Sequence, residues 1–121
     1  MGGMQPRERT HTSTFLALDL SVAVIETLRG TVSTIRRHDR DLGEQLRRAL
    51  TSIPLNLAEG NRSQGGHRIA RFSTAAGSTS EARAALRVAV AWGYIRRPDI
   101  APGEAMLDRL AGMLHGLGAQ H

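Results

Sequence analysis

The segment from Gln45 to Gly60 (QLRRALTSIPLNLAEG) carries two interleaved periodicities, and together they allow little except a helix. Leu46, Ala49, Leu50, Ile53 and Leu57 recur at three- and four-residue steps. Gln45, Arg48, Ser52, Asn56 and Glu59 do the same, displaced by about a third of a turn. A strand, with its period of two, would scatter both sets over two faces. The apolar set implies a face buried in a helical bundle. The polar set is either a hydrogen-bonding seam toward a neighbouring helix or a solvated face.

The same test finds three more helices. Leu18, Val22, Ile25, Leu28, Val32 and Ile35 form a stripe over about Thr14 to Arg36, followed by the charged turn His38-Asp39-Arg40-Asp41. The second helix then spans about Leu42 to Ala58, with Gly60 placed as its C-terminal cap and Pro54 as an internal kink. Asn61 to Gly66 reads as a turn. A third helix follows over about His67 to Gly93, with Ile69, Phe72, Ala76, Thr79, Leu86 and Val90 in register. It is rich in small residues (Ala75, Gly77, Ser78, Ala82, Ala84, Ala85, Ala89, Ala91), so other backbones can approach it closely, including those of other subunits. The fourth runs over about Pro102 to Leu117 on Met106, Leu110, Met113, Leu114 and Leu117. The expectation is an all-α, antiparallel up-down-up-down four-helix bundle over residues 14–118, with a flexible N-terminal tail at 1–13 and a C-terminal tail at 119–121. At 121 residues the chain has room for one such domain.

All sixteen basic residues are arginines, against eleven acidic ones, for a net charge of +5. Lysine's absence fits a GC-rich coding sequence, but every positive charge is still a guanidinium able to grip phosphate with two prongs. In the expected topology the excess lies at the two ends of the bundle. At one, Arg36, Arg37, Arg40, Arg96 and Arg97 face Asp39, Asp41 and Asp99; at the other, Arg7, Arg9, Arg62, Arg68 and Arg71 face Glu8 and Glu59. The eight arginines Arg36, Arg37, Arg40, Arg62, Arg68, Arg71, Arg96 and Arg97 are therefore the candidate contacts for the phosphate backbone of nucleic acid, without sequence specificity. With only four aromatic residues (Phe15, Phe72, Trp92, Tyr94), recognition of single strands by stacked bases is not expected.

Catalytic and metal chemistry find little footing. There is no cysteine, and no Glu-x-x-His pair of the kind that holds two irons in a bundle. His11, His38, His67, His115 and His121 fall in tails, turns or helix ends, so no metal or other cofactor is expected. Ser52, Ser63, Ser73, Ser78 and Ser80 have neither a nucleophile elbow nor a neighbouring base, so no enzyme is expected. Gly65-Gly66 could offer backbone N–H groups to an anion or could be only a turn. Glu81 is either a covered carboxylate paired with an arginine such as Arg48 or an exposed side chain. The absence of cysteine, of a signal-like start and of any apolar run near the roughly 18 residues that span a bilayer suits a soluble cytoplasmic protein with no membrane partner.

Read in order, Gln45-x-Arg47-Arg48-Ala49-x-x-Ser52-Ile53-x-x-Asn56-x-Ala58-Glu59-Gly60, then Phe72-x-x-x-Ala76-Gly77-Ser78-x-x-Glu81, then Gly93-Tyr94-Ile95, the chain resembles the bacterial four-helix-bundle proteins encoded in intervening sequences of 23S ribosomal RNA genes. The resemblance runs from Phe15 to about Leu117. That family is in turn similar to the accessory variability protein of diversity-generating retroelements, a basic pentameric barrel that binds reverse transcriptase and nucleic acid. The resemblance implies a ring-like homo-oligomer, a pentamer by preference, with a reverse transcriptase or another protein as partner. In it Gln45, Arg48, Ser52, Asn56, Glu59, Gly60, Gly77, Ser78 and Glu81 would organise the bundle or its contacts. The alternative is a protein-interaction scaffold that binds no nucleic acid.

Overall fold

The computed structural model describes the backbone of residues 6–119 and the side chains of residues 14–117. Four helices account for nearly all of it: α1 (Pro6–His38), α2 (Arg40–Arg62), α3 (Gly65–Ala91) and α4 (Arg97–Ala119), with no strand among the described residues. Each helix packs on the next in sequence, and α1 also packs on α4, so the four close around one core; the α2–α3 contact is the most extensive.

The α2 stripe is buried as its spacing predicts, with Leu46, Ala49, Leu50, Ile53 and Leu57 all in the core. They meet Leu28 and Ile35 of α1, Phe72, Ala82 and Leu86 of α3, and Ile100, Leu107, Leu110, Leu114 and Leu117 of α4 within one apolar cluster. Pro54 sits inside α2, which continues through it as one helix. Helices of 23 to 33 residues with so few aromatics can close such a core because small residues let the axes approach.

Several boundaries and registers differ from the sequence expectation. α1 begins at Pro6, ahead of its apolar stripe, so residues 6–13, expected in a tail, are helical; proline suits a first turn because its missing N–H has no intrahelical partner there. In the first half of α1 the buried positions are Thr14, Ala17, Ser21 and Val24, while Val22 is 44% exposed and Leu18 and Ile25 are only half-buried. Small and hydroxylated residues face the core because the Ser21 hydroxyl donates to the Leu18 carbonyl (2.7 Å) within its own helix, leaving no unpaired polar group. Thr79 of α3 is buried by the same device, donating to the Ala75 carbonyl (2.8 Å).

Gly60 does not cap α2. The helix continues to Arg62, and Gly60 is buried where an added Cβ would lie 2.5 Å from the Phe72 ring. Its role is close approach of α2 and α3. The connection to α3 is Ser63 and Gln64 alone, shorter than the expected turn at 61–66, with Ser63 donating its N–H to the Gly60 carbonyl (3.1 Å). α3 starts at Gly65, and Ile69, expected in the core, is 45% exposed; Ala75, Ala82, Ala85 and Ala89 take the buried positions instead. α4 likewise starts earlier than expected, at Arg97, and buries Leu107 while Met106 and Met113 are only partly covered.

Candidate nucleic-acid interface

Two connections meet in this fold. Between α1 and α2 stands a single residue, Asp39, in extended backbone conformation. Its Oδ1 accepts the Leu42 N–H (3.0 Å), capping α2, while Oδ2 accepts the Tyr94 hydroxyl (3.3 Å) from the α3–α4 connection. The His38 ring stacks on the Tyr94 ring at 5.3 Å and 11°, and the Trp92 ring lies parallel to Tyr94 at 6.4 Å and 18°. Burial and the adjoining Asp39 carboxylate, together with its hydrogen bond, push the Tyr94 phenol above its ordinary pKa.

Local sequence fixes this aromatic cluster. α3 is followed by Trp92 as its C-cap, Gly93 takes the left-handed conformation (φ +81°), the Gly93 N–H donates to the Val90 carbonyl (2.9 Å) and the Tyr94 N–H to the Ala89 carbonyl (3.0 Å). This is the paired hydrogen-bond pattern by which glycine terminates a helix, and only glycine adopts that φ without strain. α4 is then opened by Asp99, whose Oδ2 accepts the Arg96 N–H (2.8 Å).

Around these paired turns lie five of the candidate arginines. Arg36 is held by Glu44 (2.9 Å), which Arg47 also approaches, and Arg37 donates to Thr34 (3.1 Å). Both stand in the last turn of α1, where positive charge favours the helix dipole, so helix physics accounts for them. Arg40 and Arg97 are different. Each is the first residue of a helix, the end at which positive charge is unfavourable. Arg40, Arg96 and Arg97 are exposed and form no ion pair with a described residue.

The arginines near the α2–α3 turn are used internally. The Arg68 guanidinium lies 4.7 Å over the Phe72 ring centroid and donates to the Gly60 carbonyl (3.1 Å). Partial burial lowers its pKa, without discharging it near neutral pH. Arg71 donates to Asn56 (3.4 Å), and Arg62 is exposed in the last turn of α2. The side chains of Arg7, Glu8 and Arg9, counted with them, lie outside the described residues, as do those of His11 and His121.

The polar set of α2 divides. Asn56 donates to the Ser52 hydroxyl (3.0 Å) and carbonyl (2.9 Å), and Ser78 of α3 donates to the Ser52 hydroxyl (2.8 Å), so Ser52, Asn56, Ser78 and Arg71 tie α2 to α3 as the seam reading expects. Gln45, Arg48, Glu59 and Glu81 are exposed, as is Gly77. Glu81 forms no pair with Arg48; the α3 partners in ion pairs are instead Arg83 with Asp108 and Arg87 with Glu104 (3.2 Å), both reaching α4. Gly65 opens α3 at φ +59°, which glycine adopts without strain at the end of the two-residue turn, and Gln64 provides no side-chain cap. Among the described residues no three His, Asp or Glu side chains gather as a metal site, and no helix is long and apolar enough to cross a membrane. Sequence reasoning missed the cluster of His38, Asp39, Trp92 and Tyr94. The Trp-Gly-Tyr run signals a helix end, but nothing local ties it to Asp39, 55 positions away.

A basic four-helix bundle with a polar α2–α3 seam and a cationic aromatic turn region is the class these features define. The family of 23S rRNA-intervening sequence proteins matches residues 15–116, and the chain belongs to it. No curated protein matches the chain.

Proposed function

We propose that the protein is a non-enzymatic accessory protein of the cytoplasm that binds the phosphate backbone of RNA or DNA as a homo-oligomer, in the service of a protein partner such as a reverse transcriptase. The observation that carries the nucleic-acid reading is the set Arg40, Arg96 and Arg97: three exposed guanidiniums gathered at touching turns, with no ion pair to a described residue and, for Arg40 and Arg97, at a helix position that favours anions. Internal structure does not require them there; a polyanion would.

Short connections of one, two and five residues fit an antiparallel up-down-up-down order of the helices. Assembly is supported by what the single chain leaves uncovered. Leu16 and Val22 on α1 are exposed, and Ala70, Ser73, Gly77, Ser80, Ala84 and Ala91 form an exposed small-residue line along α3 on which a second helix could lie closely. A ring, pentameric by the resemblance, would repeat the arginine set and turn weak phosphate contacts into useful avidity. The same uncovered faces favour the second reading, a scaffold for protein partners in which the arginines do not meet nucleic acid.

The test is binding of a labelled structured RNA and a DNA duplex across a salt series, with the mass of the protein determined in the same buffers. Affinity at micromolar level or tighter that falls steeply with salt supports the first reading. An assembled protein that binds neither at low salt, or whose binding ignores salt, leaves the scaffold.

A further inference from the structure

The aromatic turn adds something phosphate contact does not need. Trp92 is 69% exposed at the end of α3, although a tryptophan left in water forgoes more burial than any other side chain. It is not loose. The Gly93 helix stop fixes the backbone on both sides of it, its ring lies parallel to Tyr94, and Tyr94 is pinned by Asp39 and stacked on His38. Beside Tyr94 opens a groove of about 470 Å³ whose wall carries Thr27, Thr31 and Thr34 of α1 and runs on to Arg96 and Asp99. A fixed ring with an open face, a polar groove alongside and the uncommitted Arg96 in the groove's wall are the parts from which single-strand sites are built.

We infer that Trp92 is a stacking platform for an unpaired nucleobase of a single-stranded segment, with Tyr94 and His38 buttressing the ring and Arg96, Arg97 and Arg40 holding the flanking phosphates. This rests on the nucleic-acid reading above and narrows it: against the expectation drawn from the scarcity of aromatics, one exposed ring backed by Tyr94 is enough for one base, and the protein prefers strands whose bases are free to splay over strands locked in a duplex. Stacking on one ring reads no sequence, because every base has a π-face, which agrees with the absence of a base-reading motif. The groove takes the sugar next to the stacked base, its threonine hydroxyls offering partners to a ribose hydroxyl, while the phosphates are left to the arginines because the Asp99 carboxylate also lines the groove.

Trp92 is the chain's single tryptophan, so its fluorescence reports on this site alone. The intact protein is titrated with an oligouridylate, the deoxy strand of equal length, a duplex of equal length and an abasic strand that keeps the phosphates and lacks bases. Expected are saturable quenching by both single strands, stronger for the ribose strand, with little quenching by the duplex or the abasic strand. Trp92→Ala should weaken oligouridylate binding roughly 5- to 100-fold, as for loss of one stacked base, with the salt slope and assembled mass unchanged, and Trp92→Phe should restore most of it. Salt-sensitive binding without quenching and indifferent to Trp92→Ala overturns the platform while leaving phosphate binding intact. Binding of no strand at all overturns both. A fall in assembled mass in Trp92→Ala, with binding lost alongside it, makes Trp92 a subunit contact and overturns the platform.

Discussion

At the α2–α3 turn, Arg68 lies on Phe72 and donates to the Gly60 carbonyl while Arg71 reaches Asn56; at the paired α1–α2 and α3–α4 turns, Arg40, Arg96 and Arg97 are exposed and make no ion pair with a described residue. Counted as charge, the two regions look alike. They differ in what the guanidinium donors already hold. One set is structural, binding helix to helix across a glycine contact, and the other is not tied by an ion pair to any described residue. The aromatic rings divide in the same way, with Phe72 buried under Arg68 and Trp92 open to solvent. Net charge therefore hides this division, which shows only in what each guanidinium already holds.

The contrast can be broken most forcefully at Phe72. Phe72→Ala empties a fully buried ring site and removes the surface on which Arg68 rests, and should cost about 3–5 kcal/mol in denaturant unfolding. Trp92→Ala, removing a larger ring from an exposed position, should stay within about 0.5 kcal/mol. Comparable losses at the two rings would erase the distinction. Arg68→Gln should destabilise by about 1–2 kcal/mol, because a charge-assisted bond to the carbonyl of buried Gly60 is lost. Asp39→Ala removes the α2 cap and the Tyr94 anchor together, for about 1 kcal/mol from the cap.

The smallest effect concerns pH. The Tyr94 phenol is raised in the folded protein, so the folded state holds that proton more tightly than the unfolded chain. The resulting stabilisation is fully present below the ordinary tyrosine pKa of about 10 and is lost as pH rises through the folded value. Tyr94 is the chain's single tyrosine, so a spectrophotometric titration should show it ionising above the ordinary range and returning toward it in Asp39→Ala.

Much of this architecture was legible because α2 states it twice. Its apolar stripe is buried residue for residue, and part of its polar stripe, Ser52 and Asn56, forms the seam with Ser78. The N-terminal half of α1 misled because branched residues outweigh Ala17 and Ser21 on any hydropathy measure, whereas a tight helix crossing selects for small size and a hydroxyl that can return to its own backbone. Gly60 misled for a related reason: glycine near a helix end reads as a cap, and only the Phe72 ring opposite reveals the need for close approach. Of the candidate site, the arginine positions were visible and their engagement was not. Which guanidiniums are occupied depends on contacts such as Arg71 with Asn56, and the stacked turn depends on Asp39 meeting Tyr94, neither of which any local pattern encodes.

The division between the two regions is tested most directly by the salt dependence of RNA binding in two triple variants, Arg40/Arg96/Arg97→Gln and Arg62/Arg68/Arg71→Gln, with unfolding followed in parallel. Each lost phosphate contact lowers the slope of log K against log salt by about 0.7–0.9. The account predicts that the first variant loses about 2–3 units of slope at unchanged stability, while the second keeps most of its slope and unfolds more easily. A slope lost equally in both, or lost only in the second, would contradict it.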